Sequence, residues 1–178
     1  MNMTSEEERR IADCRIAVVG ADEFIDSIKT ELQLLGFKSI QIISPFDEEA
    51  TINIDVIAEI VNEGGSCMSK VTDIPLILPF DFVNGAGAIV VMPDDERNML
   101  GKPDLRLWAA TYMAGYCAFW NVDGCEWLRD SLSDIKNGVT NDVALKTAAH
   151  ICARIAANIA VGREVKHFPR FYLCKNLE

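Results

Sequence analysis

The spacing of apolar and polar positions along this chain changes period several times, and each change predicts an element. Residues 4–13 (TSEEERRIAD) form a short polar segment with acids at its start, and Thr4 is placed to cap a helix there. Arg15-Ile-Ala-Val-Val-Gly20 is an apolar run closed by glycine, the pattern of a buried strand. Across 22–35, Phe24, Ile25, Ile28, Leu32 and Leu35 recur at helical spacing, and Gly36 suits the C-cap. Ser39-Ile-Gln-Ile-Ile43 predicts a second strand, stopped by Ser44-Pro45. Together these make a β-α-β unit, whose strands are expected to be parallel with a right-handed crossover.

Further along, the spacing predicts a helix over 52–62, stopped at Gly64-Gly65, and a third strand within 71–78, broken by Pro75. Residues 88–92 read as a strand closed by Pro93-Asp94-Asp95-Glu96. Residues 104–114 read as a helix, 117–120 as a strand and 124–136 as a short helix. The last helix, about 140–161, is the longest; Thr140 or Asn141 caps it and Gly162 ends it. Its many alanines, from Ala144 to Ala160, would let the sheet or a second subunit approach closely. Residues 168–173 are expected to add an edge strand. The alternation predicts one α/β domain over 1–178: a Rossmann-like, mostly parallel open sheet with helices on both faces. Residues 1–14 form a helical arm on it, and 139–178 a long helix plus edge strand.

Composition narrows the partners. The chain is 178 residues long and 49% hydrophobic, enough for a sizeable core. Its net charge of −10 repels phosphate backbones and anionic lipid, so neither nucleic acid nor membrane is an expected partner. No apolar stretch reaches the roughly 18 residues a bilayer span needs. The segment MNMTSEEERR lacks the apolar region of a signal peptide, so a cytoplasmic location is expected. The six cysteines are scattered without a CxxC pair, which fits reduced thiols rather than a zinc ribbon.

Three places could carry chemistry. In the first turn, Gly20, Ala21 and Asp22 stand where a dinucleotide fingerprint would place phosphate, but only the first glycine of G-x-G-x-x-G is present. Asp22 and Glu23 suit the helix dipole and repel a phosphate. Ser44 follows the second strand where an acid would grip a ribose, which weakens an NAD(P)-dependent oxidoreductase reading. Asp94, Asp95 and Glu96 follow a strand and offer oxygen ligands for Mg²⁺ beside phosphates; a solvated helix-capping turn is the alternative. Cys117 and Cys125 flank a loop where either thiol could be exposed and reactive. His150 and His167 read as structural or interface residues, and Trp108, Trp120 and Trp127 as core or interface aromatics.

The order of features resembles the ThiF/MoeB/HesA family of E1-like adenylating enzymes. A helix with Arg10 leads into Arg15-Ile-Ala-Val-Val-Gly20, and Leu34-Leu35-Gly36-Phe37-Lys38-Ser39-Ile40 is similar to the family's approach to its second strand. Residues 88–97 (AIVVMPDDER) look like its strand and T-D-N-x-x-x-R turn, with Asp95 at the place of the metal-binding aspartate. Residues 104–122 fit the helix and strand that follow, and Ala153-Arg154-Ile155-Ala156 with Gly162 resembles its small-residue closing helix. The resemblance implies ATP and Mg as cofactors, activation of a carboxylate of a small acid or carrier protein as an acyl-adenylate, and a homodimer. The departures lie at the phosphate site. The family's G-x-G-G-x-G loop is here Gly20-Ala21-Asp22-Glu23-Phe24-Ile25, the second-strand aspartate is Ser44, and residues 50–65 hold no arginine. Adenylation needs concentrated positive charge against the phosphates. The expectation is therefore a degenerate member acting as a dimeric binding or accessory protein, with an active adenylating enzyme as the alternative.

Overall fold

The computed structural model describes residues 2–20, 23–43 and 53–176. Helix α1 (Ser5–Asp13) begins with a reciprocal cap: the Glu7 amide donates to Thr4 Oγ1, and the Thr4 amide donates to Glu7 Oε1, each at 3.1 Å. Strand β1 (Arg15–Val19) is buried after its first residue, and α2 (Glu23–Leu34) turns Phe24, Ile25, Ile28 and Leu32 inward. Gly36, at φ 103°, lets the Phe37 amide reach back to the Leu32 carbonyl and closes α2. Strand β2 (Ser39–Ile43) pairs parallel with β1, as the β-α-β reading requires.

The remaining elements are β3 (Val56–Glu59), β4 (Leu76–Asp81), β5 (Gly85–Val91), α3 (Leu105–Phe119), α4 (Glu126–Lys136), α5 (Asp142–Ala160) and β6 (Tyr172–Lys175). The sheet order is β2-β1-β3-β4-β5-β6. Alternate residues along the strands feed two cores. Ile16, Val18, Val56, Ala58, Ala88 and Val90 pack with α1, α2 and α5. Ala17, Val19, Ile57, Leu78, Ile89 and Val91 pack with α3 and α4 on the other face. The alanines of α5 are spent inside the chain, against α2 and the sheet. Among the described residues, no helix is long and apolar enough to cross a membrane.

Three expectations are corrected. The segment read as a helix over 52–62 contains β3 instead, paired with β1 on one side and β4 on the other. A strand covered on both faces needs no polar alternation, so Val56-Ile-Ala-Glu-Ile-Val61 satisfies either period, and pairing decides between them. The strand expected at 117–120 is the last turn of α3, where Cys117 extends the buried stripe Ala109, Ala110 and Met113. Finally, the sheet is mixed rather than mostly parallel. Strands β2, β1, β3 and β4 run parallel, but β5 is antiparallel to β4 and β6 to β5. Only Phe82, Val83 and Asn84 join β4 to β5, far too few for a crossover, so the chain must reverse.

A buried polar knot holds that reversal. Asp81, at the end of β4, and Arg106, in the first turn of α3, are 2% and 3% exposed. Asp81 accepts the amides of Val83 and Asn141, each at 2.8 Å. Arg106 donates to the carbonyls of Asp81 at 2.7 Å and Ile135 at 3.5 Å, and to that of Val139 at 2.6 Å. Burial pushes the Asp81 carboxyl up and the Arg106 guanidinium down, against their mutual attraction at 3.9 Å. Removing one partner strands the other in the interior. Asp81→Ala is expected to cost about 3–5 kcal/mol, read as a lower urea midpoint.

Candidate functional site

The parallel strands β1 and β3 end side by side, with Val19 opposite Glu59. Gly20 leaves β1 at φ 149°, a conformation that side chains disfavour. Its open face is turned onto β3: a Cβ there would lie 3.2 Å from Ile60 Cβ and 3.7 Å from Ile25 Cδ1. The Ile60 amide donates to the Val19 carbonyl at 2.9 Å, so the pairing runs up to the glycine. Helix α2 follows with Glu23 and Asp26 in its first turn. The other expected cofactor-binding residues of this edge, Ala21, Asp22 and Ser44, lie outside the described residues.

At the same edge sits a group that the sequence pattern did not mark as a site. Glu59 is 2% exposed, and its carboxylate gathers the loop that follows β3. Its Oε1 accepts the Ser66 hydroxyl; its Oε2 accepts the Cys67 amide at 2.7 Å and the Cys67 thiol at 3.0 Å. Ser66 Oγ in turn accepts the Met68 amide at 3.0 Å. The loop is clamped from outside as well: Ser66 donates its amide to the Leu100 carbonyl and Leu105 donates to the Gly64 carbonyl. Glu59 thus positions residues 64–68 at the mouth of the sheet. Its signal in the sequence is a single acid inside an apolar run that ends at Gly64-Gly65; on a helix, that acid would fall on a solvent face.

Asp94 and Asp95 lie at the other end of the sheet. Ala17, Ile57, Leu76 and Val91 form one row across β1, β3, β4 and β5. Because β5 runs against the others, the chain beyond Val91 emerges where β1, β3 and β4 begin. The structure therefore does not bring Asp95 and Gly20 together. Asp95 closes its own turn: its Oδ2 accepts the Met92 amide at 2.7 Å and its amide donates to the Met92 carbonyl at 3.0 Å. His167 Nδ1 lies 2.9 Å from both carboxylate oxygens, and the Asp95 side chain is 12% exposed. Arg97, which ends the segment that resembles the T-D-N-x-x-x-R turn, donates to the carbonyls of Val71, Thr72 and Met92. Among the described residues, no group of three or more His, Cys, Asp or Glu side chains could hold a metal ion. His150 faces Glu31 at 3.1 Å on the surface of α5.

The structure does bring Cys117 and Cys125 together. Cys117 lies near the end of α3, Cys125 is the N-cap of α4, and both line one cavity of about 280 Å³. Burial, and then a hydrogen bond with Cys125, pushes the Cys117 thiol up to about 12. Burial likewise pushes Cys14 up to about 11 and Cys152 to about 12. The thiolate is the reactive form, and burial disfavours it at all three near neutral pH.

In comparison with known proteins, no family model matches the chain and no curated protein matches it.

Two results are expected. Iodoacetamide at pH 8, followed by peptide mapping, should label the native protein slowly at Cys14, Cys117 and Cys152, and all six cysteines once it is unfolded. Glu59→Ala should lose about 1.5–3 kcal/mol, and hydrogen exchange at Cys67 and Met68 should accelerate well beyond the global change, because their anchor is gone.

Proposed function

We propose that this chain is an E1-like α/β domain that works by binding, as an accessory protein without ATP turnover of its own. The observation that carries this reading is the packing at Gly20. In a phosphate-binding turn, the glycine leaves backbone amides open to an anion. Here the face of Gly20 is taken up by Ile60 and Ile25, and acidic residues open the helix behind it. The distance between edges supports the same reading. A magnesium aspartate at residue 95 would have to serve a nucleotide at the far end of the strands, and its oxygens already hold the Met92 amide and His167. The small-residue face of α5 is used internally, so a homodimer through that helix is not part of the proposal.

The test is ATP–pyrophosphate exchange with the purified chain and a panel of small carboxylic acids and carrier peptides ending in glycine. No exchange above background is expected, and millimolar Mg-ATP should leave the melting temperature unchanged, since a ligand bound to the folded state must raise it. Robust exchange, or an ATP-dependent rise that Gly20→Val abolishes, would make the chain an adenylating enzyme instead.

A further inference from the structure

A second groove, of about 400 Å³, lies beside β6. Tyr116, Val122 and Trp127 line it from the α3–α4 side, and Phe171, Leu173 and Lys175 from the other. The latter three alternate along the chain and so share one face. The groove continues into exposed aromatics: Tyr116 packs edge-on to Phe171 at 5.1 Å and reaches Trp120, which is 63% exposed beside Phe119 at 76%. A contiguous apolar surface of this kind marks a contact site more often than chance exposure does.

Strand β6 is also an edge of the sheet. Its even-numbered residues face β5: the Tyr172 carbonyl would meet a Cβ on Gly87 at 3.1 Å, and the Asn176 amide donates to the Asn84 carbonyl at 2.9 Å. By antiparallel alternation, the N–H and C=O groups of Leu173 and Lys175 point away from the sheet. Such a row is a template for another strand.

Charge selects the strand. In a protein of net charge −10, this groove is lined by Lys166, Arg170 and Lys175 against one carboxylate, Asp123. All three cations are exposed, and among the described residues none forms a salt bridge. A second copy pairing β6 with β6 would bring these cations towards their counterparts, which is unfavourable. An acidic strand would neutralise them.

We propose that the β6 groove binds an extended acidic peptide segment of a partner protein. The segment adds to the sheet as a further strand on the outward groups of Leu173 and Lys175. It seats an apolar side chain against Trp127 and Tyr116, and sets carboxylates against Lys166, Arg170 and Lys175. This rests on the reading of the chain as a binding domain and names the chemistry of what it binds.

The experiment is a titration of the isotope-labelled full chain with short synthetic peptides that alternate Val or Ile with Glu or Asp, beside a matched series carrying Lys. Saturable binding of the acidic series alone is expected, with shifts confined to the groove and the amides of Leu173 and Lys175 becoming protected from exchange. The combined variant K166E, R170E and K175E, all surface changes, should weaken binding by at least about tenfold, and rising salt should do the same. Failure of the acidic series to saturate, equal binding of the Lys series, or shifts elsewhere would overturn the proposal. So would concentration-dependent protection of Leu173 and Lys175 without peptide, because a second copy would then be covering the edge. ATP–pyrophosphate exchange reports separately on the accessory reading, so a failure of one is not mistaken for a failure of the other.

Discussion

The reversal between β4 and β5 is the constraint from which most of this structure follows. Three residues cannot carry a crossover, so β5 must turn back along β4. Once it does, everything downstream is placed. Asp94 and Asp95 emerge among the starts of the parallel strands, and β6 pairs antiparallel along the free side of β5 and becomes an edge. The small residues of Gly85-Ala-Gly-Ala88 allow this strand to be covered closely: Trp127 lies on Gly85, and a Cβ on Gly87 would come within 2.6 Å of the Phe82 ring. The Asp81–Arg106 knot locks the turn by joining the end of β4 to α3, to the end of α4 and to the start of α5. An ion pair this deep adds little net stability, because burial works against both charges. Its role is to fix which carbonyls and amides meet.

Two ends of one sheet consequently have different characters. The end reached by β1 and β3 is compact and apolar at Gly20, with Glu59 using its carboxylate to hold the following loop. The end reached by β5 carries the Asp95–His167 pair, which closes a turn. Among the described residues, neither arrangement presents the convergent positive charge that phosphate chemistry needs. The exposed cations at the β6 groove, which form no salt bridge among the described residues, lie instead next to exposed aromatics and an open strand edge.

Much of the frame is legible in the order of residues alone. The Thr4 cap, β1, α2, β2, α4 and the long α5 are each marked by period, caps and glycines, because those features act over a few residues; the terminal strand, expected at 168–173, forms at Tyr172–Lys175 instead. The misreadings fall where local pattern is ambiguous. The run at 56–61, apolar but for Glu59, fits a fully buried strand and a helix equally, and only its neighbours β1 and β4 decide. Cys117 to Trp120 is apolar and short, so its continuation of the α3 stripe is hidden. Of the candidate residues, Cys117 and Cys125 do come together, whereas Asp95 and Gly20 do not.

The sequence by itself determined the two-faced α/β frame, the acidic character of the whole and the absence of a complete phosphate fingerprint, since these depend on residue identity and local spacing. The tertiary structure alone decided strand direction, and with it which residues share a site. Direction depends on how short connections force the chain to turn and on which buried polar groups can pair, and neither is a property of any one segment. Glu59 became a loop anchor, Asp95 a partner of His167, and Lys166, Arg170 and Lys175 a single basic rim only once those distant pieces were brought to the same edge.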